Sequence, residues 1–342
     1  VKIVVTGASG NVGTALLRQI SHADDIDHVV GVARRAPHRT PPPPYNAATW
    51  LSLDVGGPSA ANVVTVLAAA MEGADAVIHL SWAVQPNHDR DRLRRTNVTG
   101  MKRVLAAARD AQVPHMVVAS SVGAYSPAID DGLHDETWPT GGIEASAYSV
   151  DKAAVERILD AHEREHPEML ITRLRPALIF QRDIGSEIQR YFFGSLVPPK
   201  LLDGRLPFLP WPRDTRVQAV HADDVARAYL AAVRMRPGGA INIAADDSLG
   251  GAEIASILSG GRWGEVPRSA ARAAVSAAWT ARLVPVSPGW LDMAAHVPLM
   301  STERAREVLD WRPEYSALAT VAEVVRGIAD GAGTCSPPLR RR

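Results

Sequence analysis

Glycines at positions 7, 10 and 13 follow directly on the β-branched run Ile3-Val4-Val5, in the stretch VKIVVTGASGNVG that opens the chain. A short apolar run that stops at Thr6-Gly7 reads as a buried parallel strand turning sharply into a helix. Gly7 permits the turn, Gly10 lets backbone approach a pyrophosphate, and Gly13 lets the helix lie close on the sheet. The N–H groups of the helix's first turn are then available to an anion. The same spacing also serves as a tight packing turn. Its place between a β-branched run and the helical pattern VGTALLRQI points to a dinucleotide site.

The rest of the chain repeats this alternation. Strands are expected at 28–33, 50–53, 74–80, 115–121 and 170–174, and helices at 11–21, 60–71, 89–111 and 147–166. Strand–helix alternation of this kind predicts an α/β fold, a doubly wound parallel (Rossmann) sheet with right-handed crossovers. The loop 36–48 carries four consecutive prolines, Pro41 to Pro44, and reads as an exposed connector. After Pro176 the texture changes to proline, glycine and aromatics (FFGSLVPPK, RLPFLPWP). A strand at 217–221, a helix at 223–234 and a strand at 240–244 follow, and then helical patterns at 253–258, 269–282, 302–309 and 318–329. We therefore expect a nucleotide domain at 1–176, to which 217–245 returns. A smaller, mostly helical substrate-binding lobe takes 177–216 and 246–330, with a flexible tail at 331–342.

Composition excludes several classes. The chain has 342 residues, enough for one substantial core and a smaller partner. Thirty-seven basic residues balance 37 acidic ones, so neither nucleic acid nor an anionic membrane surface is an expected partner. The single Cys335 rules out a disulfide framework or a cysteine metal site. No apolar run reaches the roughly 18 residues of a membrane span, and no signal peptide opens the sequence. A cytoplasmic location is the resulting expectation.

Cofactor and catalytic candidates gather at the ends of the predicted strands. In folds of this type an acidic residue about twenty positions beyond the glycines holds the ribose 2′-hydroxyl of NAD. Here strand two ends at Ala33 and is followed by Arg34 and Arg35, which suit a 2′-phosphate and favour NADP over NAD; two solvated loop arginines are the alternative. Asp54 and Val55, past strand three, are placed for the adenine. His79-Leu80-Ser81-Trp82 passes beside the ribose and nicotinamide. Tyr148 and Lys152 lie four apart at the start of a predicted helix and share one face. A free phenol, with a pKa near 10, is too weakly acidic for a base at neutral pH, and an ammonium beside it favours the phenolate. Such a pair is also common on helix surfaces. Against that stand the scarcity of lysine (Lys2, Lys102, Lys152 and Lys200 only) and Ser120-Ser121 at the end of strand five, where Ser121 would orient a substrate oxygen.

With the Thr6-to-Gly13 turn, Ser121 and Tyr148-x-x-x-Lys152 together, the chain resembles the extended short-chain dehydrogenases/reductases, and among them the NAD-dependent epimerase/dehydratase family. The runs NVTG at 97–100, VHADDVA at 220–226 and VLDWRPEY at 308–315 extend the likeness. The resemblance implies a Ser121–Tyr148–Lys152 triad and cofactor contacts from Gly7, Gly10, Asn11, Val12, Gly13, Arg34, Asp54, Val55, Leu80 and Ser81, with Asn97 beside a Thr96 that replaces a frequent cofactor-contacting Asn. It makes His221, Asp223 and Asp224 structural, so no metal is expected, and it implies a homodimer through the helices beginning near Asp89 and Ala147. Two departures bear on substrate. Val122-Gly123 stand where 4,6-dehydratases carry an Asp-Glu pair, which argues against dehydration. Val217-Gln218 stand where sugar-nucleotide epimerases often carry Arg-Asp, leaving Arg190, Arg205, Arg213 or Arg216 to meet a diphosphate. The expected activity is hydride transfer at a C–OH/C=O carbon of a sugar, sugar nucleotide or related polyol by an epimerase-type oxidoreductase acting on a small molecule. A ketone or aldehyde reductase using NADPH is the alternative enzyme, and a cofactor-sensing binding protein the alternative outside enzymes.

Overall fold

Ile3, Val4 and Val5 are fully buried, and a strand with no face for water must be covered on both sides. The computed structural model, which describes residues 1–37, 40–85, 88–194 and 197–341, shows how. Seven strands form one sheet: β1 (Lys2–Thr6), β2 (His28–Ala33), β3 (Thr49–Ser52), β4 (Ala76–His79), β5 (His115–Ala119), β6 (Leu170–Pro176) and β7 (Gly239–Ile243). Their order is 7-6-5-4-1-2-3 and every neighbouring pair is parallel. Helices α1 (Asn11–Ile20), α2 (Ala60–Met71), α3 (Gly100–Asp110), α4 (Ala147–Glu165) and α5 (Ala222–Met235) cover it. Leu16 and Leu17 of α1 share one core with Val225 and Tyr229 of α5. Leu67 of α2, Met101 and Leu105 of α3, and Leu159 of α4 fill the other. The doubly wound expectation holds. Strand order reverses between β1 and β4, which opens a crevice outside their carboxyl ends.

The second lobe carries the small strands Leu178–Phe180, Leu209–Pro212 and Trp263–Val266 and the helices α6 (Gly251–Leu258), α7 (Arg268–Thr280), α8 (Pro288–His296) and α9 (Ala317–Ala329). Strand Val217–His221, expected in the nucleotide half, pairs with Leu178–Phe180 and Ser248–Leu249 instead; only α5 and β7 return to the main sheet. The helix expected at 89–111 is a helical turn Arg90–Arg94, a widened π turn Arg95–Thr99, and then α3. The widening turns Asn97 inward, where its side chain bonds both backbone groups of Ala83. Helix α8 was not legible, because Pro285, Pro288, Gly289 and Pro298 mark its span as loop. Among the described residues no helix is long and apolar enough to cross a membrane.

Two segments read as loose are packed. Tyr45, in the proline loop, is 1% exposed, and its hydroxyl meets Thr14 at 3.0 Å and Thr334 at 2.7 Å. The tail beyond 330 is not frayed: Ser336 and Leu339 are fully buried, Ser336 Oγ donates to the Ser9 carbonyl at 2.6 Å, and Arg190 donates to Pro338 O at 2.8 Å. Small polar side chains in the tail satisfy buried groups of the first βα turn, a match between residues 327 positions apart that no local pattern reveals. Residues 38–39 of the expected loop, 195–196 of the expected lobe and Arg342 of the expected tail lie outside the described residues.

Deleting residues 331–342 uncovers the Leu339 seat and strips partners from Ser9 and Tyr45. We expect the thermal midpoint to fall by about 3–6 °C in a calorimetric melt. An unchanged midpoint would mean that the tail contributes nothing to the loop it covers.

Candidate active site

Helix α4 starts where it does because Ser146 caps it, its Oγ accepting from Ser149 N at 3.4 Å. Ser149 in turn donates to Gly123 O and accepts from Ile143 N at 2.6 Å. These bonds sew the first turn of α4 to residues 121–124 after β5, and so bring Tyr148 beside Ser121. Ser121 Oγ accepts from Gly123 N at 3.0 Å, which leaves its own proton free to donate. An added Cβ at Gly123 would lie 2.9 Å from Tyr148 Cε1 and 3.0 Å from Met293 Sδ, so this position has no room for a side chain, carboxylate or otherwise.

Tyr148, Lys152 and Glu156 follow one another at helical spacing on the same face. Burial pushes the Tyr148 phenol up to about 12, with the Ser121 hydrogen bond pulling the other way. Burial brings Lys152 down to about 7, opposed by the charges of Glu156 and Asp151. The Lys152 ammonium donates to Ala119 O at 2.7 Å and lies 5.8 Å from the Tyr148 ring centre. Glu156, fully buried, accepts from Arg175 Nε at 2.9 Å and Nη2 at 3.0 Å, from Arg173 Nη1 at 2.9 Å, and from Ser120 Oγ. Burial would raise its carboxyl, but the two guanidinium groups and Ser120 hold it at about 2. This network, absent from the sequence reading, locks α4 to β6. Glu163 also reaches Arg173.

The glycine turn fits a pyrophosphate. Gly7 has φ of +77°, and a Cβ there would stand 2.7 Å from Leu80 C and Ser81 N. A Cβ at Gly13 would stand 2.5 Å from the Ala8 backbone. At Gly10 the Gly7 carbonyl, at 3.3 Å, is the only neighbour within 4 Å, so a side chain would fill an open cradle, and no side chain caps α1. Half-buried Leu80, Ser81 and Trp82 leave β4 beside this turn. Val12 packs against the core, and Asn11 Nδ2 donates to Ile179 O at 3.0 Å, tying the turn to the second lobe. Asp54 accepts from Gly56 N at 2.9 Å, Val55 is buried, and Arg34 and Arg35 are exposed at the end of β2. Asn97 is spent on Ala83 and so shapes the segment after β4. Thr6 and His79, hydrogen-bonded at 2.7 Å, clamp β1 to β4, and burial together with the Lys152 charge holds His79 near 3, hence neutral.

Over Tyr148 the second lobe places aromatic side chains. Trp290 of α8 lies 5.0 Å from its ring centre and Phe192 lies 5.3 Å from Trp290. Gly289 lets α8 approach, since a Cβ there would fall 2.4 Å from Ala145 O. Of the aromatics in the stretch 177–216, Phe192 thus lies over Tyr148 through Trp290, whereas Phe208 is half exposed and Trp211 bonds Thr215 O. Gln218 pairs with both backbone groups of Met300. Arg213 is paired with Glu265, Arg216 donates to Ser248, Arg190 is held by Pro338 O, and Arg205 is exposed. The VHADDVA and WRPEY runs meet structurally: Asp224 accepts from Glu314 N and Tyr315 N, and Tyr315 stacks on His221 at 4.0 Å.

A family model described as NAD dependent epimerase/dehydratase family matches residues 3–244. The chain belongs to this family. Among curated relatives, an uncharacterised protein of Mycobacterium tuberculosis is 28% identical over 75% of this chain. The chain spans about a quarter of that relative's length (23%). An NAD-dependent glucose-6-phosphate dehydrogenase of Haloferax volcanii is 30% identical over 55% of this chain and 72% of its own. Among solved structures, a UDP-glucuronic acid 4-epimerase from Bacillus cereus in complex with NAD aligns over 96% of this chain and 99% of its own, with TM-score 0.66 and 15% identity. MoeE5 in complex with UDP-glucuronic acid and NAD aligns over 95% and 99%, with TM-score 0.65 and 21% identity. These likenesses at 15–21% identity establish the fold, a parallel Rossmann-type sheet with a smaller second lobe.

Replacing Glu156 by Gln takes the carboxylate from buried Arg175 and one of three from Arg173, which keeps Asp160 and Glu163, and should lower stability by about 3 kcal/mol in urea unfolding at pH 7. The folded-state carboxyl lies near 2 against an ordinary 4.5. The wild-type advantage is therefore full above pH 4.5 and is lost as pH falls towards 2. An advantage that shrank only above pH 7 would contradict this assignment.

Proposed function

We propose that the protein is an NAD(P)-dependent, epimerase-type oxidoreductase acting at a C–OH/C=O carbon of a sugar or related polyol, with Ser121, Tyr148 and Lys152 as its catalytic set. The observation that carries this reading is the seating of Tyr148 beside the Ser121 hydroxyl, with Lys152 one turn on, next to the glycine cradle. A bound nicotinamide supplies a hydride acceptor and donor. Ser121 donates to the substrate oxygen and orients it, Tyr148 takes or returns the hydroxyl proton, and the Lys152 charge supports the phenolate in between. The crowding of Gly123 against Tyr148 supports the reading that 4,6-dehydration is not the reaction.

A second reading, NADPH-dependent reduction of a ketone or aldehyde, draws on Trp290, Phe192 and Met293 over Tyr148 and on the arginines being engaged or exposed elsewhere. The two separate on cofactor balance. An epimerase interconverts epimers with no net change in the reduced-nicotinamide absorbance, and a reductase consumes it. In either case Tyr148→Phe should lower kcat by about 10²–10⁴-fold. Undiminished turnover in that variant would remove Tyr148 from the chemistry.

Arg34 and Arg35 support a 2′-phosphate, hence NADP over NAD, although the solved neighbours named above carry NAD. Replacing both by Ala should weaken NADP⁺ about tenfold or more by titration calorimetry, with little change for NAD⁺. Equal losses for both would end the NADP assignment. A homodimer through the helical segments beginning near Asp89 and at Ala147 is part of the same proposal, resting on the family resemblance; light scattering that finds only monomer would reject it.

A further inference from the structure

Lys152 is 2% exposed, yet its three N–H donors find only Ala119 O, at 2.7 Å, among the described residues. A buried ammonium so poorly solvated is costly to keep charged. The charged groups facing it are few. On α4, Asp151 is held by Arg90 at 3.0 Å and Glu156 is shared with Arg173 and Arg175. At the end of β4, His79 is neutral at working pH. Tyr148, protonated, offers no charge. The missing solvation comes from an aromatic face. Lys152 Nζ stands 3.6 Å from the ring centre of Trp82, and the same indole meets Tyr148 at 5.6 Å and 70°. The Trp82 N–H is buried with no hydrogen-bond partner, so the seat of this ring is set by its faces and edges rather than by a polar bond.

We propose that Trp82 is a positioning residue for Lys152: its indole face holds the ammonium protonated and fixed between β4 and α4, so that a cation is present when Tyr148 gives up its proton. An aromatic face within about 6 Å favours a cation, more strongly when both are desolvated. The consequence for catalysis rests on the Ser121–Tyr148–Lys152 reading, but the interaction is between two side chains of this chain and is measured without substrate.

The chain has only four lysines, at 2, 102, 152 and 200, so a protein labelled with ¹³Cε-lysine gives four resonances, and the Lys152→Met variant assigns one of them. We expect the Lys152 midpoint near 7 in the wild type, lower by about one pH unit in Trp82→Leu, and lower by less than half of that in Trp82→Phe, which keeps a weaker aromatic face. Growth on 5-fluorotryptophan changes no residue and depletes the ring's electron density. It should lower the midpoint in the wild type and not in Trp82→Phe, which keeps the measurement decisive if the leucine variant fails to fold. An unchanged midpoint in the fluorinated wild type, or equal shifts in the leucine and phenylalanine variants, would overturn the proposal. Either result would leave the hydride-transfer reading standing, since that is decided by Tyr148→Phe.

Discussion

Nothing heavier than a hydrogen atom fits on Gly7. The carbonyl carbon of Leu80 and the amide of Ser81 occupy the place where a side chain would begin, and that contact draws the end of β4 against the end of β1. The Thr6–His79 bond reinforces it from below. Everything the crevice holds is arranged around this approach. Leu80, Ser81 and Trp82 emerge beside the glycine turn because β4 can come no nearer and has no reason to stand farther off. The open turn at Gly10 and the indole over Lys152 both stand beside this contact.

Helix α4 supplies the complementary order. Its first turn is bound to the segment after β5 through Ser146 and Ser149, and its third is bound to β6 through Glu156. Tyr148 and Lys152 lie between these two anchors, on a helix that can neither slide nor rotate without breaking buried charged bonds. Rigidity of this kind suits proton transfer, for which tenths of an ångström matter. The cost is visible in Lys152 and Tyr148, both held in surroundings that disfavour their charged forms.

Legibility followed the range of the interactions. The parallel sheet and the nearness of Tyr148 to Ser121 could be read because β-branched runs, glycine spacing and helical spacing are local signals, and a shared family pattern joins them; the strand order came from the structure. The Glu156 network could not: Glu156 sits in an ordinary amphipathic helix, and Arg173 and Arg175 alternate along what looks like a half-exposed strand, so nothing marks three charges as mutually buried. Helix α8 was hidden by its own punctuation, since Pro288 and Gly289 signal a turn in sequence but serve as a helix start and a close-packing site in space. Trp82 reads in sequence as passing beside the cofactor, and its meeting with Lys152 needed the fold, because the two residues lie 70 positions apart.

The burial of Ser336 against Ser9 ties the glycine turn after β1 to a segment 327 residues away. Contacts of such separation close late in folding, after the intervening sheet and lobe are in place. The turn can be shaped early by its glycines, but its Ser9 carbonyl acquires this partner only when both lobes are assembled. The finished geometry of the glycine turn is thereby tied to a segment at the far end of the chain.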